Sequence, residues 1–243
     1  MNQGFLEHTI IEEYDSLDST QSEARRLCDM GRLHHGTCIF TPNQTNGRGR
    51  YDRKWESGSG NVALTIALLP DKPLNMWMQL CYLSAIAVNN AICYFDQYTA
   101  ISFKWVNDIM LRGQKLSGIL LETHGRFLLV GIGVNLQHFD KLKNFRATSL
   151  EEAGLPGIKP REFVKVLVRQ FKELYNEWCS RGFSIVKNQW IRQAQDLGKY
   201  IKVNLPEGKV KEGIFLGIDD EGRLELMVKS ELELIEVGEL FNG

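Results

Sequence analysis

Two apolar runs rich in β-branched residues, Thr37–Thr41 and Asn61–Leu69, bracket a stretch in which glycine and arginine alternate: Asn46-Gly47-Arg48-Gly49-Arg50-Tyr51-Asp52-Arg53-Lys54-Trp55. This constrains the fold more than any other feature. The flanking runs read as buried strands, so the basic stretch, from Pro42 to about Gly60, is a loop carried by a sheet. Glycine frees the backbone for positive φ and for close approach to a ligand. Arginine presents a permanently charged planar fork to carboxylate or phosphate. Such a loop is suited to wrapping an anion.

The rest of the chain alternates strand and helix signals. Thr9–Tyr14 reads as a strand, and Thr20-Gln21-Ser22-Glu23 has capping-box spacing that starts a helix reaching Met30, with Gly31 as its stop. Pro70, Asp71 and Pro73 end the Asn61–Leu69 strand, and Met76–Phe95 is a long apolar-periodic helix. Strands follow at Ile101–Lys104, Lys115–Thr123 and Phe127–Val134, the last two joined by a turn at His124-Gly125-Arg126. A polar connection, Gln137–Pro160, leads to a helix from Pro160 to Arg181 and a shorter one over Ser184–Gln193. Beyond Gly198 the character changes to short strands, Lys199–Leu205, Val210–Asp219, Leu224–Val228 and Glu233–Val237, with turn residues between them. The expectation is an α+β fold: a mixed sheet covered by helices over residues 1–194, then a small β-barrel over 195–243.

Composition narrows the function. The chain has 243 residues, 43% hydrophobic and 24% charged, with a formal net charge of -1. There is no bulk electrostatic case for nucleic acid or a membrane surface. Val62–Leu69 is too short to span a bilayer, and the N-terminus carries Glu7, Glu12 and Glu13 without a signal-peptide pattern. The cysteines, Cys28, Cys38, Cys81, Cys93 and Cys179, are odd in number and form no CxxC pair. They read as buried free thiols of a cytoplasmic protein. His8, His34, His35, His124 and His138 show no metal-ligand spacing, and His34-His35 reads as surface. No Ser/His/Asp or Cys/His nucleophile pattern is visible.

Further motifs join the basic loop: Asp18-Ser19-Thr20-Gln21, Gln44, Lys104-Trp105-Val106-Asn107-Asp108, Lys115-Leu116-Ser117-Gly118-Ile119-Leu120-Leu121-Glu122, and Gly131-Ile132-Gly133-Val134-Asn135. In this order and spacing the set resembles the biotin protein ligases, from about residue 10 to the C-terminus. The resemblance implies a class II aminoacyl-tRNA synthetase-like catalytic domain with an SH3-like C-terminal barrel. It implies an enzyme that forms biotinoyl-AMP from biotin and ATP with Mg²⁺, then passes biotin to a lysine of a biotin carboxyl carrier domain. Two departures stand out. The family usually has proline where this chain has Val106, so the bend before Asn107 is expected to be held less rigidly. The catalytic pattern starts near residue 10, so no N-terminal DNA-binding domain and no DNA partner are expected.

The first step joins two anions. At about 4 Å and an effective dielectric near 20, two unit charges repel by roughly 4 kcal/mol, and fixed cations must offset this. By resemblance, Lys104, Arg48, Arg50 and Asp108 form the catalytic set. Lys104 lies between carboxylate and α-phosphate, and Asp108 either orients a cation or makes a plain salt bridge. Ser19, Thr20, Gln44, Arg48, Lys115, Trp55 and Gly118 are expected to bind biotin. Arg50, Arg53, Asn107, Lys115 and Asn135 are expected to bind ATP; metal ligands are left unassigned. Bland readings stand beside these: Ser19 or Thr20 as a helix cap, Trp55 as a core residue, Arg50, Arg53 and Lys54 as solvated loop charges, and Gly131 and Gly133 as relief of strand crowding. Gly47, Gly49, Gly58 and Gly60 suggest a lid that orders on ligand. The carrier domain would dock on an exposed sheet edge, which also leaves monomer or homodimer open. The rival reading is a lipoate or octanoate ligase or transferase; a biotin-sensing or nucleic-acid-binding module belongs to a different class.

Overall fold

The computed structural model of the chain describes residues 10–56, 58–137, 147–236 and 238–241; Thr9, His8, His138 and most of the 137–160 connection's first half lie outside them. Seven strands form one sheet: β1 (Ile11–Glu13), β2 (Cys38–Thr41), β5 (Val62–Leu68), β6 (Ile101–Lys104), β7 (Asp108–Leu111), β8 (Gln114–His124) and β9 (Phe127–Val134). The hairpin strands β3 (Gly47–Arg48) and β4 (Lys54–Trp55) stand apart. The order across the sheet is β1-β2-β5-β9-β8-β7-β6. Only β1 and β2 run parallel; the remaining neighbours are antiparallel. The sheet is therefore mixed.

Alternation along the strands sorts side chains onto two faces. Cys38, Phe40, Val62, Leu64, Ile66, Leu68, Leu128, Val130, Ile132 and Val134 pack toward α2 (Gln79–Phe95) and α3 (Pro160–Arg181) in the main core. Ile39, Ala67, Phe127 and Leu129 turn the other way, onto Ala24 and Leu27 of α1 (Thr20–Asp29). The helix α1 is too short to cover that face, and the uncovered part becomes the cavity described below. The segment Leu74–Phe95 is apolar and long enough to cross a membrane by composition, but its most apolar 18-residue stretch is 72% buried inside the fold. Its polar positions reach the last third of the chain. The Gln79 amide donates to the Asp220 carbonyl at 2.7 Å and accepts from Trp178 Nε1 at 2.6 Å, and the Tyr82 hydroxyl donates to the Gly222 carbonyl.

After α4 (Ser184–Ile191), strands β10 (Tyr200–Asn204), β11 (Val210–Ile218), β12 (Leu224–Val228), β13 (Glu231–Ile235) and β14 (Glu239–Phe241) make an antiparallel, barrel-like unit ordered β13-β12-β11-β10-β14. A bulge between Phe215 and Gly217 bends it. Val203, Phe215, Ile218, Leu224 and Leu226 fill its interior with no exposed surface. Residues just before it are tied to the main sheet: the Phe103 amide donates to Gln193 at 2.8 Å, and the Gln195 amide donates to Phe103 at 2.7 Å.

The structure corrects several expectations. β7 and β14 were not anticipated; β7 is four residues squeezed between a turn and the Arg112–Gly113 reversal. The fourth barrel strand starts at Glu231, because Lys229 and Ser230, at φ 47° and 71°, make a two-residue left-handed turn. The capping box does not form. Ser19 is the N-cap without a side-chain cap bond, and Glu23 bonds Arg26 instead. Of the five free cysteines only Cys38 and Cys81 are buried. His35 is not a surface residue: it is half-buried against Tyr175, and its Nδ1 accepts the Leu69 amide at 2.9 Å.

Candidate active site

One cross-strand row makes the floor of the cavity. Register aligns Thr41, Ala63, Gly133, Gly118, Asp108 and Lys104 on the α1 side of six consecutive strands. Five inter-strand steps of about 4.8 Å give a row about 24 Å long. Its centre is small residues and its far end carries opposite charges. A second row, Thr65–Gly131–Leu120, runs beside it. The glycines are needed for space. A Cβ on Gly133 would lie 2.4 Å from the Trp55 ring, and one on Gly131 would lie 2.6 Å from the Gln21 amide. Trp55 and Gln21 thus rest directly on bare backbone.

Helix α1 is keyed to β8 along this face. Gln21 Nε2 donates to the Leu120 carbonyl at 3.2 Å, Arg25 pairs with Glu122 at 2.9 Å, and Asp29 with His124 at 2.7 Å. Four helical residues rise about 6 Å, close to the rise of two strand residues, so positions 21, 25 and 29 meet 120, 122 and 124 rung by rung. The register presents the helix N-terminus to the cavity. There the Thr20 amide donates to Gln44 Oε1 at 2.8 Å, and Thr20 Oγ1 accepts from Thr65 at 2.8 Å.

The basic loop is a small hairpin, with Gly47 opposite Trp55 and Arg48 opposite Lys54. Gly47 serves close approach, since a Cβ there would lie 2.4 Å from the Trp55 carbonyl oxygen. Positive φ is not its role; the left-handed residue of the turn is Tyr51, at φ 53°. Arg48 is held by Glu122 at 3.0 Å, and that carboxylate oxygen also takes Arg25. Arg50 Nη1 donates to Asn107 Oδ1 and to the Gly238 carbonyl, both at 3.3 Å. The loop therefore bridges the main sheet and the C-terminal unit.

The turn between β6 and β7 is firmly fixed. Asn107 exchanges two hydrogen bonds with Ile119, each 2.9 Å. Val106 is buried, its carbonyl accepts from the Cys81 thiol at 3.2 Å, and the Trp105–Val106 peptide is cis. Burial pushes the Cys81 thiol up to about 12. Trp105 Nε1 donates to the Tyr82 hydroxyl at 2.9 Å. Lys115 pairs with Asp108 at 2.6 Å and stands 5.6 Å from the centre of the Trp55 ring. Asp108 thus pairs with a cation, which both readings of it allow.

Side chains from the sheet rows, the N-terminus of α1, the basic loop and the β6–β7 turn line one cavity of about 530 Å³. Every nominated residue is on its wall: Ser19, Thr20, Gln44, Arg48, Arg50, Arg53, Trp55, Lys104, Asn107, Asp108, Lys115, Gly118 and Asn135. Lys54 joins them, so six cationic side chains face two carboxylates, Asp108 and Glu56. Four wall residues hold a buried polar atom with neither a hydrogen-bond nor an ion-pair partner among the described residues: Ser19 Oγ, Gln21 Oε1, Trp55 Nε1 and Asn135 Oδ1. Each such atom costs about 1–3 kcal/mol until a partner arrives. A cavity with cations along its walls and idle donors and acceptors at its base suits a ligand that joins an anionic group to a neutral polar ring. Gln21, Trp105 and Asn204 also line it without having been nominated. Gln21 sat inside a quoted motif; Asn204, from β10, is brought in by packing that no local pattern announces.

Residues 14–137 match the biotin/lipoate A/B protein ligase family, and residues 196–241 match the biotin protein ligase C terminal domain. The chain belongs to the biotin/lipoate A/B protein ligase family. Within that family, it is 34% identical over 235 residues to a bifunctional ligase/repressor BirA of Bacillus subtilis, covering 91% of this chain and 70% of that one. It is 31% identical to a biotin–[acetyl-CoA-carboxylase] ligase of Paracoccus denitrificans, covering 93% and 98%. A solved biotin protein ligase of Aquifex aeolicus, in complex with biotin and ATP, superposes with a TM-score of 0.86 at 25% identity, covering 96% and 98%.

Proposed function

We propose that this chain is an ATP-dependent biotin protein ligase. A biotin carboxylate oxygen attacks the α-phosphorus of ATP, the bond to the β-phosphate breaks, and biotinoyl-AMP and pyrophosphate form. A lysine amine of a biotin carboxyl carrier domain then attacks the acyl carbon, loses a proton and displaces AMP. The observation that carries this reading is the convergence of the whole motif set on one cation-lined cavity, in a chain of this family.

The roles follow from position. Thr20, Gln44 and the unpartnered Ser19 hydroxyl sit where a ureido ring needs donors and acceptors, with Trp55 and the glycine floor as the apolar wall. Lys104 at the charged end of the row offsets the repulsion between carboxylate and phosphate. Lys115 is held in place by Asp108. Arg48 and Arg50 close over the anions, and Arg53, Asn107 and Asn135 line the nucleotide side. Mg²⁺ fits this donor set: such an ion takes one or two carboxylates plus phosphate oxygens, and Asp108 is a carboxylate of the floor row; bound there, it would spread the charge of the departing pyrophosphate. The loop acts as a lid over the cavity of the domain at residues 1–194, and the unit at 195–243, which meets Arg50 through the Gly238 carbonyl and lines the cavity with Asn204, closes on the nucleotide. The free cysteines suit a reducing cytoplasm. The carrier docks at the β1 edge of the sheet.

The test is pyrophosphate release from Mg-ATP with biotin, lipoate or octanoate, followed by transfer to a biotin carrier domain. Release with biotin alone is expected. Release with lipoate or octanoate at an equal rate would favour the rival reading.

A further inference from the structure

At the end of α1 remote from the cavity, the third rung of the α1–β8 register differs from the other two. Asp29 and His124 pair at 2.7 Å, and the half-buried thiol of Cys28, from the adjacent helical position, joins them. Cys28 Sγ lies 4.0 Å from the His124 carbonyl oxygen, and a Cβ on Gly125 would be only 3.6 Å from that sulfur. One ligating atom from each of the three side chains falls within 4.8 Å of the others. We infer that Cys28, Asp29 and His124 form a surface site for Zn²⁺ or a similar borderline cation.

The donor set, the geometry and the electrostatics agree. Thiolate, imidazole and carboxylate together select zinc over magnesium. Tetrahedral bonds of about 2.0–2.3 Å place ligand atoms roughly 3.3–3.7 Å apart. The histidine–aspartate pair must open slightly and the sulfur close in by about 1 Å, which side-chain rotation provides. Cys28 and Asp29 end α1, where the helix carbonyls favour a cation. Asp29 is largely exposed, which leaves a fourth position to water. On binding, the thiol loses its proton to solvent. The ion would staple the helix to the β8–β9 hairpin. About 15 Å of helix separates it from Ser19, so it takes no part in the chemistry. His124 lies 95 positions from Asp29 and 96 from Cys28, which is why the histidine spacing gave no sign of the site.

The experiment is a Co²⁺ titration of the untagged full chain without nucleotide, read by the thiolate-to-cobalt charge-transfer band. One Co²⁺ per chain is expected, displaced by Zn²⁺ but not by Mg²⁺. Cys28→Ser should abolish the band, His124→Ala should weaken binding at least tenfold, and Cys179→Ser should leave it unchanged. Biotin-dependent pyrophosphate release should be the same in all three variants, which shows that they fold. Absence of the band in the wild type, its survival in Cys28→Ser, or unchanged binding in His124→Ala would overturn the assignment.

Discussion

Replacing Gly133 with alanine adds one methyl group to the cavity floor. The new Cβ would stand 2.4, 2.5 and 2.7 Å from Cε2, Cζ2 and Nε1 of Trp55. Ordinary contact begins near 3.4 Å, so the ring must retreat by about 1 Å. It cannot do so alone. Trp55 is paired through β4 to Gly47 and Arg48, and its ring also bears on Gly118 and faces Lys115. Overpacking of this kind costs about 1–3 kcal/mol, which corresponds to roughly a 5- to 150-fold loss of biotin affinity if the strain falls on the bound state. Biotin binding by calorimetry and tryptophan emission of the free protein measure it. A double-mutant cycle with Trp55→Ala isolates the cause. If the clash is the mechanism, Gly133→Ala adds little once Trp55 is truncated. Wild-type affinity and emission in Gly133→Ala, or a fully additive penalty in the double variant, would rule out the clash with Trp55.

Two other outcomes are expected. Glu122→Gln removes the carboxylate that holds Arg25 and Arg48 at 2.9 and 3.0 Å; solvent screening keeps the Arg48 contact near 1 kcal/mol, so limited trypsin cleavage of the loop should rise about fivefold, and an unchanged cleavage rate would contradict the latch. His35 is held neutral, its pKa lowered from 6.5 by burial, although the Asp71 charge pulls the other way. The unfolded chain therefore takes up the proton first, and His35 subtracts stability as pH falls below about 6.5. The loss of Tm from pH 7.5 to 5.5 should be smaller in His35→Asn than in wild type; equal losses would count against it.

The long elements were legible because their period is strong. Phe127–Val134 and Pro160–Arg181 lie where apolar spacing put them. The short strands β7 and β14 were not legible, since three or four residues between turns carry too little pattern. The site residues could be named because motif spacing survives without tertiary knowledge. Their partners could not. Glu122 stood in a motif, but its bond to Arg48 spans 74 positions, and Gln21 over Gly131 depends on helix-to-strand register. The capping-box reading failed for a physical reason: the hydroxyl of Thr20 is committed to Gln44 and Thr65, and Ser19 Oγ makes no cap bond.

In the proposed reaction, cations fixed around the cavity allow two anions to react. Single-turnover formation of biotinoyl-AMP by Lys104→Ala, with biotin and ATP both saturating, tests it most directly. Loss of a preorganised charge of this kind is worth about 2.7–4 kcal/mol. The rate should fall by roughly 10²–10³, while biotin affinity measured without ATP changes less than about tenfold. A rate within a few-fold of wild type would contradict the account.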